Sequence, residues 1–287
     1  MNRILSYSIF LSLLFLLSAC GREEVYVRPT PEQGRLSGLF TIGEGRQVYF
    51  SQGNLRCNPK QKIYRFADEQ YDVLGSENNK IAKDFDGWID LFGWGTGRNP
   101  ASYGLVYLFY DKFYEWGDSA IVNGGNVPRA WRTLTDTEWE YLLYKRPRAE
   151  AYRGVHRIHV ADSVDRMAII FLPDEWKEPA GLSFSTDSSV FAVGGVKLTI
   201  PLAEWKKLEK NGAVALPFAG SRIWGNTEND QVGVATLNGF NTYALYWSAT
   251  PGEDTRSAWS IEAHDSLPEL INNLRPLGIS VRLVQDK

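Results

Sequence analysis

Short β-rich runs separated by glycine turns open the legible part of the chain. Residues 39–42 (LFTI), 47–50 (QVYF) and 54–57 (NLRC) each have the length and composition of a strand, and the glycines between them suit hairpins. The period changes at WRTLTDTEWEYLLYKR. Thr135 followed three residues later by Glu138 fits a capping box: the Thr hydroxyl accepts the amide of the third helical residue and the Glu carboxylate reaches back to the Thr amide. The pattern predicts a helix from there, with Trp139, Leu142 and Leu143 as its buried stripe and Lys145 and Arg146 at the negative end of its dipole. A second short helix is predicted to open at Pro201 and to stop at Gly212. FLPDEW, residues 171–176, shares a proline and Glu-Trp with that helix, but the surroundings differ and no repeat is read. The C-terminal third returns to strands at AVALPFAGSRI, YALYWSAT, SAWSIEA and GISVRLV, and in the last of these Ile279, Val281 and Leu283 alternate with Ser280 and Arg282. Helices in the middle and strands towards both ends predict an α+β domain whose sheet brings the two ends together.

Residues 1–19 have one early cation, Arg3, an apolar run from Ile9 to Leu17 and small residues at the end, the pattern of a secretory leader too short for a stable membrane span. LSAC at 17–20 resembles the bacterial lipobox, which implies that Cys20 is acylated and becomes the new N-terminus. Residues 20–37 then read as an extended tether and 38–287 as one domain with a twisted antiparallel sheet, two or more helices and long irregular loops. Glu23 and Glu24 resemble the acidic export signal of surface lipoproteins in the Bacteroidetes. The expected location is therefore the outer membrane, on its external or periplasmic face.

Loss of the leader moves the formal net charge only from −3 to −4, because Arg3 is its one charged side chain. A balance so close to neutral gives no footprint for nucleic acid and no polybasic patch for anionic lipid, so membrane contact is expected through the anchor alone. With Cys20 lipidated, Cys57 has no partner for an intramolecular disulfide, and stability falls to the hydrophobic core. FDGWIDLFGWGTG sets Trp88, Phe92 and Trp94 among glycines and aspartates, which predicts a compact aromatic-packed loop. Asp84, Asp86 and Asp90 raise Ca²⁺ as an alternative, although they lack the alternating oxygen ligands and closing glutamate of a calcium loop. His156 and His159, completed by Asp162 or Asp165, raise zinc; the preferred reading is two histidines in a polar loop, with no metal and no cofactor.

WRTLTDTEWEYLL resembles the R-L-P-T-E-A-E-W-E-Y-A segment of the formylglycine-generating-enzyme superfamily at Arg132, Leu134, Thr135, Glu138, Trp139, Glu140 and Tyr141. VYFSQGNLR, DGWIDLFGWGTG, IVNGGN and the closing YWSAT…GISVRLV are similar to the Fibrobacter succinogenes major paralogous domain proteins and related lipoproteins of gut Bacteroidetes. The likeness spans residues 39–284 and implies a C-type-lectin-like fold. Catalysis does not carry over with it. The C-terminal cysteine pair that binds copper in the oxidase is missing, and HRIH has neither the spacing nor the glutamate of the H-x-x-x-H-x-E iron motif. No serine elbow or phosphate loop is visible either, so no catalytic residue is assigned.

Some proteins of this fold are targets of diversity-generating retroelements, which vary the C-terminal hairpin on a constant frame. The corresponding stretch here is YWSATPGEDTRSAWSIEAHD. If Ile261 and Ala263 face the core, alternation turns Ser260 and Glu262 outward, and the turn projects Glu253, Asp254 and Arg256. Trp259 and His264 would add aromatic surface. The expectation is a ligand-binding set of Glu253, Asp254, Arg256, Trp259, Glu262 and His264 that takes a protein or a carbohydrate. Two other readings stay open: a metal-dependent enzyme or maturation factor of the formylglycine-generating type, and a structural envelope or fimbria-associated subunit.

Overall fold

The computed structural model describes residues 32–81, 85–100, 110–182, 184, 199–226, 232–264 and 266–287. The leader, Cys20, the first part of the tether and Asp84 lie outside the described residues.

The chain is a mixed α+β fold, mostly strand. It opens with β1 (Arg35–Gly43), β2 (Arg46–Ser51), β3 (Leu55–Asn58) and β4 (Ile63–Phe66); the first two cover the predicted runs and β3 starts one residue later than expected, after Asn54. The start of β1 corrects the tether boundary: Leu36 is buried in the core, so residues 35–37 belong to the fold. α1 (Asp136–Glu140) begins at Thr135 with both bonds of the capping box in place and continues through one wider turn, Tyr141–Lys145, that keeps Leu142 and Leu143 buried beside Trp139. Then follow β5 (Arg153–Ala161), β6 (Val164–Phe171), β7 (Thr199–Pro201), α2 (Leu202–Lys210), β8 (Val214–Pro217), β9 (Ser221–Asn226) and β10 (Val232–Asn238). α2 ends where Gly212, at φ +90, turns the chain into β8; its Cα packs against Gly38, so a side chain at either position would meet the other backbone. The series closes with β11 (Ala244–Pro251), β12 (Ser257–Ala263), β13 (Glu269–Leu274) and β14 (Val284–Asp286).

Strand order shows how the ends meet. β2 pairs with β1 on one side and with β14 on the other, Val284 opposite Phe50. A second sheet runs β7-β5-β6-β8, and β11, β12 and β13 form an antiparallel meander with β12 at its centre. Three apolar clusters fill the spaces between. One lies between β1–β2, α1 and one face of β5–β6, and includes Phe40, Phe50, Trp139, Phe171, Tyr246 and Ile261. The second packs Trp94, Trp116, Trp131 and Trp247 around Phe92 and Ile279. The third sits between α2 and the other face of β5–β6–β8. In β6, Ile169 and Phe171 serve the first cluster while Ala168 and Ile170 serve the third, which is why MAIIF reads as an unbroken apolar run.

β5 and β6 form a long hairpin where the sequence suggested a polar loop. His156 and His159 are three apart on one strand and therefore take opposite faces. His156 is buried, stacks 4.9 Å from Phe184, and is held down at about pKa 4 by desolvation; His159 sits at the surface, its Nδ1 2.8 Å from Asp165 Oδ1. The shared site considered for the two rings is thus ruled out by the pleat.

GISVRLV is corrected as well. Ile279, Val281 and Leu283 are buried as expected, but so are Ser280 and Arg282, because the segment threads the middle of the molecule rather than one of its edges. Arg282 donates from Nη2 to Gln70 Oε1 at 3.0 Å and from Nη1 to Asn54 Oδ1 at 3.3 Å. Asn54 Nδ2 in turn donates to the Tyr246 hydroxyl at 3.0 Å, and that hydroxyl donates to the Pro217 carbonyl at 2.8 Å. Gln70 extends the chain of bonds to Glu209 on α2. Buried polar groups persist when partners of this kind satisfy them.

Candidate functional site

The C-terminal turn is built on a strand that is fixed on both faces. Ile261 and Ala263 face the first cluster, as alternation requires, while Ala258 faces the second. Ser260 does not face outward: β13 covers it, and its hydroxyl donates to the Ile271 carbonyl and accepts from Asn273 Nδ2 at 2.9 Å. The unforeseen strand β13 supplies the difference, because it makes β12 a central strand and leaves β13 at the edge.

β11 carries an irregularity between Trp247 and Pro251, and this explains the residues SAT. The Ala249 amide donates to Leu134, Thr250 Oγ1 accepts the Asp136 amide at 3.1 Å, and the same hydroxyl donates to Asp136 Oδ1 at 2.9 Å. The start of α1 and the end of β11 are thereby tied together just below the turn.

Beyond that tie the turn is held from within. Asp254 Oδ1 accepts from the amides of Arg256 at 2.8 Å and Ser257 at 2.7 Å, and these bonds, that of Arg256 first, hold the carboxyl below its ordinary value. The Gly252 amide donates to the Ser257 carbonyl; a Cβ on Gly252 would come within 2.2 Å of Ser257 Oγ, so only glycine fits. Arg275, following β13, braces the outside. Its amide donates to Arg256, its Nε to Ser257 at 2.8 Å and its Nη1 to Tyr110 at 2.9 Å, while its guanidinium lies 4.4 Å from the centre of the Trp94 ring. Glu253, Asp254, Thr255 and Arg256 are exposed on this braced turn.

The six expected residues fall into separate places. Glu253, Asp254 and Arg256 crown the turn, and Trp259 is half-buried on the first-cluster face of β12, opposite Asn272. Glu262 and His264 pair at 2.6 Å at the other end of β12, with the Tyr243 ring 5.3 Å from that of His264. Glu262 is six residue steps along the strand from Arg256, about 20 Å at about 3.3 Å each. Glu262 also takes the opposite face from Trp259. The turn with Trp259 is one surface, and Glu262 with His264 is another.

Other chemical candidates resolve into structural roles. Asp90 is buried and accepts from the Leu74 amide at 2.7 Å and Asn78 Nδ2 at 3.0 Å, with burial pushing its carboxyl up; Asp86 accepts from Lys60 at 3.0 Å. Among the described residues no group of three or more His, Cys, Asp and Glu side chains is placed to hold a metal ion. The Cys57 thiol is buried beside Tyr64 and pushed up to about 12 by desolvation, which suppresses thiolate chemistry. The WRTLTDTEWE segment works as a joint. Arg132 donates to both Glu138 oxygens, at 2.8 and 3.0 Å, and to both Asp286 oxygens, at 2.9 and 2.7 Å, linking α1 to β14.

No protein-family model, curated protein or solved structure matches the chain.

Proposed function

We propose that this chain is a lipid-anchored protein of the cell envelope that binds a macromolecular ligand, protein or glycan, through the turn between β11 and β12 and the neighbouring Trp259, without chemistry of its own. The observation that carries this reading is the contrast within the turn. Its backbone is pinned by Asp254, Gly252 and Arg275, while Glu253 and Arg256 are exposed and form no ion pair among the described residues. Charges of both signs on a pre-organised loop beside a partly exposed tryptophan suit recognition, because little ordering entropy is lost on contact. A C-type-lectin-like arrangement of the α+β fold, displayed on the outer membrane, is part of the same proposal and rests on the sequence resemblance. Glu262 and His264 form a lesser surface that this reading does not require.

Arg256→Ala and Trp259→Ala, tested on arrays of glycans and peptides, are expected to reduce bound signal at least about tenfold with an unchanged circular dichroism spectrum. Arrays on which wild type and both variants give the same pattern would reject the turn as the site. The anchor has its own check: alkyne-labelled fatty acid fed to expressing cells is expected to mark the wild-type chain and not Cys20→Ala. Label retained by that variant removes Cys20 as the lipidated residue.

A further inference from the structure

A cleft apart from the C-terminal turn lies between the β3–β4 turn and the segments around residues 97 and 118. It is open to solvent on one side, has a volume of about 230 Å³, and is lined by Lys62, Tyr64, Gly97, Arg98, Asp118 and Ser119, together with Pro100. Drug-sized ligands occupy pockets of roughly 300–1,000 Å³, so this volume suits a single ring or its equivalent.

The charges are arranged asymmetrically. Of the two lysines on the turn, Lys60 is matched by Asp86 at 3.0 Å, whereas Lys62 has no acidic partner among the described residues. Arg98 stacks 4.3 Å from the centre of the Tyr114 ring, and no carboxylate among the described residues meets it. Across the cleft, Asp118 is balanced by Arg129 at 3.6 Å, beside the Ser119 hydroxyl. Two cations are therefore available for an anion, and a carboxylate and a hydroxyl stand ready for hydroxyl groups. The floor is fixed, since Tyr64 donates its hydroxyl proton to the Gly97 carbonyl at 3.0 Å.

Backbone conformation adds to the contrast between the two lysines. Lys62 and Arg129 lie in the left-handed region, at φ 55 and φ 63. The β3–β4 turn is already organised by Asn58, whose Oδ1 accepts the Gln61 amide at 3.0 Å, and its last position is one that glycine or asparagine fills without strain. Lys62 is the one cleft-lining residue among the seven non-glycine residues at positive φ in the described chain, and strain of this sort gathers at binding sites. We propose that the cleft binds a hydroxylated monoanion the size of one sugar ring, a uronate, with Lys62 and Arg98 on the carboxylate and Asp118 and Ser119 on ring hydroxyls.

Lys62→Gly separates the side chain from the fold, because it removes the cation while relieving the left-handed position. Calorimetric titration of the full-length chain with galacturonate, galactose and inorganic phosphate is expected to rank galacturonate first, by about tenfold over each of the others. Lys62→Gly is expected to weaken galacturonate by about tenfold at an unchanged or higher melting temperature. Galactose binding as tightly as galacturonate would overturn the anion site, phosphate binding as tightly would overturn the sugar acid, and full affinity in Lys62→Gly would overturn the role of Lys62.

Discussion

Replacing Glu138 with alanine is expected to lower the stability of the fold by about 3 kcal/mol, read as a shift in the urea midpoint at unchanged slope. Its carboxylate is only 3% exposed and serves four groups at once: both Arg132 donors, Arg46 at 2.9 Å and the Thr135 amide at 2.9 Å. Burial alone would push this carboxyl up, yet the Arg132 fork and the Thr135 amide together hold it below its ordinary value. The variant keeps the Thr135 cap on the residue-138 amide but loses the returning bond from the Thr135 amide to the carboxylate, a hydrogen bond to a charged group worth about 1.5–3 kcal/mol, and leaves the largely covered Arg132 with Asp286 as its one acidic partner among the described residues. Arg46 adds little to that sum because it is mostly solvated. Glu138→Gln tests the division of labour, since an amide can keep the cap bond while losing the charge; it is expected to recover part of the loss. Glu138→Ala within about 0.5 kcal/mol of wild type would show that the joint between α1 and β14 does not stabilise the fold.

Arg282→Ala is expected to cost about 3–5 kcal/mol, the largest loss among these variants. The side chain is 1% exposed, and its removal opens a cavity and withdraws the donors that Asn54 and Gln70 accept. Arg282→Met fills much of the volume without the charge and isolates the polar contribution. If hydrogen bonding dominates, methionine is expected to be nearly as damaging as alanine; if packing dominates, methionine is expected to approach wild type. Alanine tolerated at a cost below about 1 kcal/mol would mean that the buried bonds contribute little.

These two residues also mark what could be read from sequence and what could not. Thr135 and Glu138 lie three residues apart, so the cap is a local signal, and α1 begins where it predicts. SAWSIEA was legible for the same reason, and β12 spans the expected residues. Arg282 misled because alternation assigns a charged residue to solvent, whereas its partners, Asn54 and Gln70, lie in the first quarter of the chain. The hairpin β5–β6 was hidden by its polar face. Arg157, His159 and Asp165 look like loop residues, although MAIIF and the Ala-Asp-Ser turn between the strands were available as signals. At the candidate site, the exposed charges of PGEDTR could be placed on a turn. That Asp254 is consumed by its own backbone, and that Ser260 is covered by β13, depend on register and on a strand whose sequence, ELINNL, has no clean alternation. Nothing in the sequence pointed to the Lys62 cleft, because a left-handed lysine looks like any other lysine.

The pairing of Val284 with Phe50 has a consequence for the order of folding. While the chain is being made, β2 has β1 beside it but lacks its other neighbour until β14 has been synthesised. Closing that gap requires a loop of nearly the whole described chain, so it comes late and slowly. Until then the β2 edge is open, and an early stop that removes residues 284–286 is expected to expose that edge to neighbouring chains.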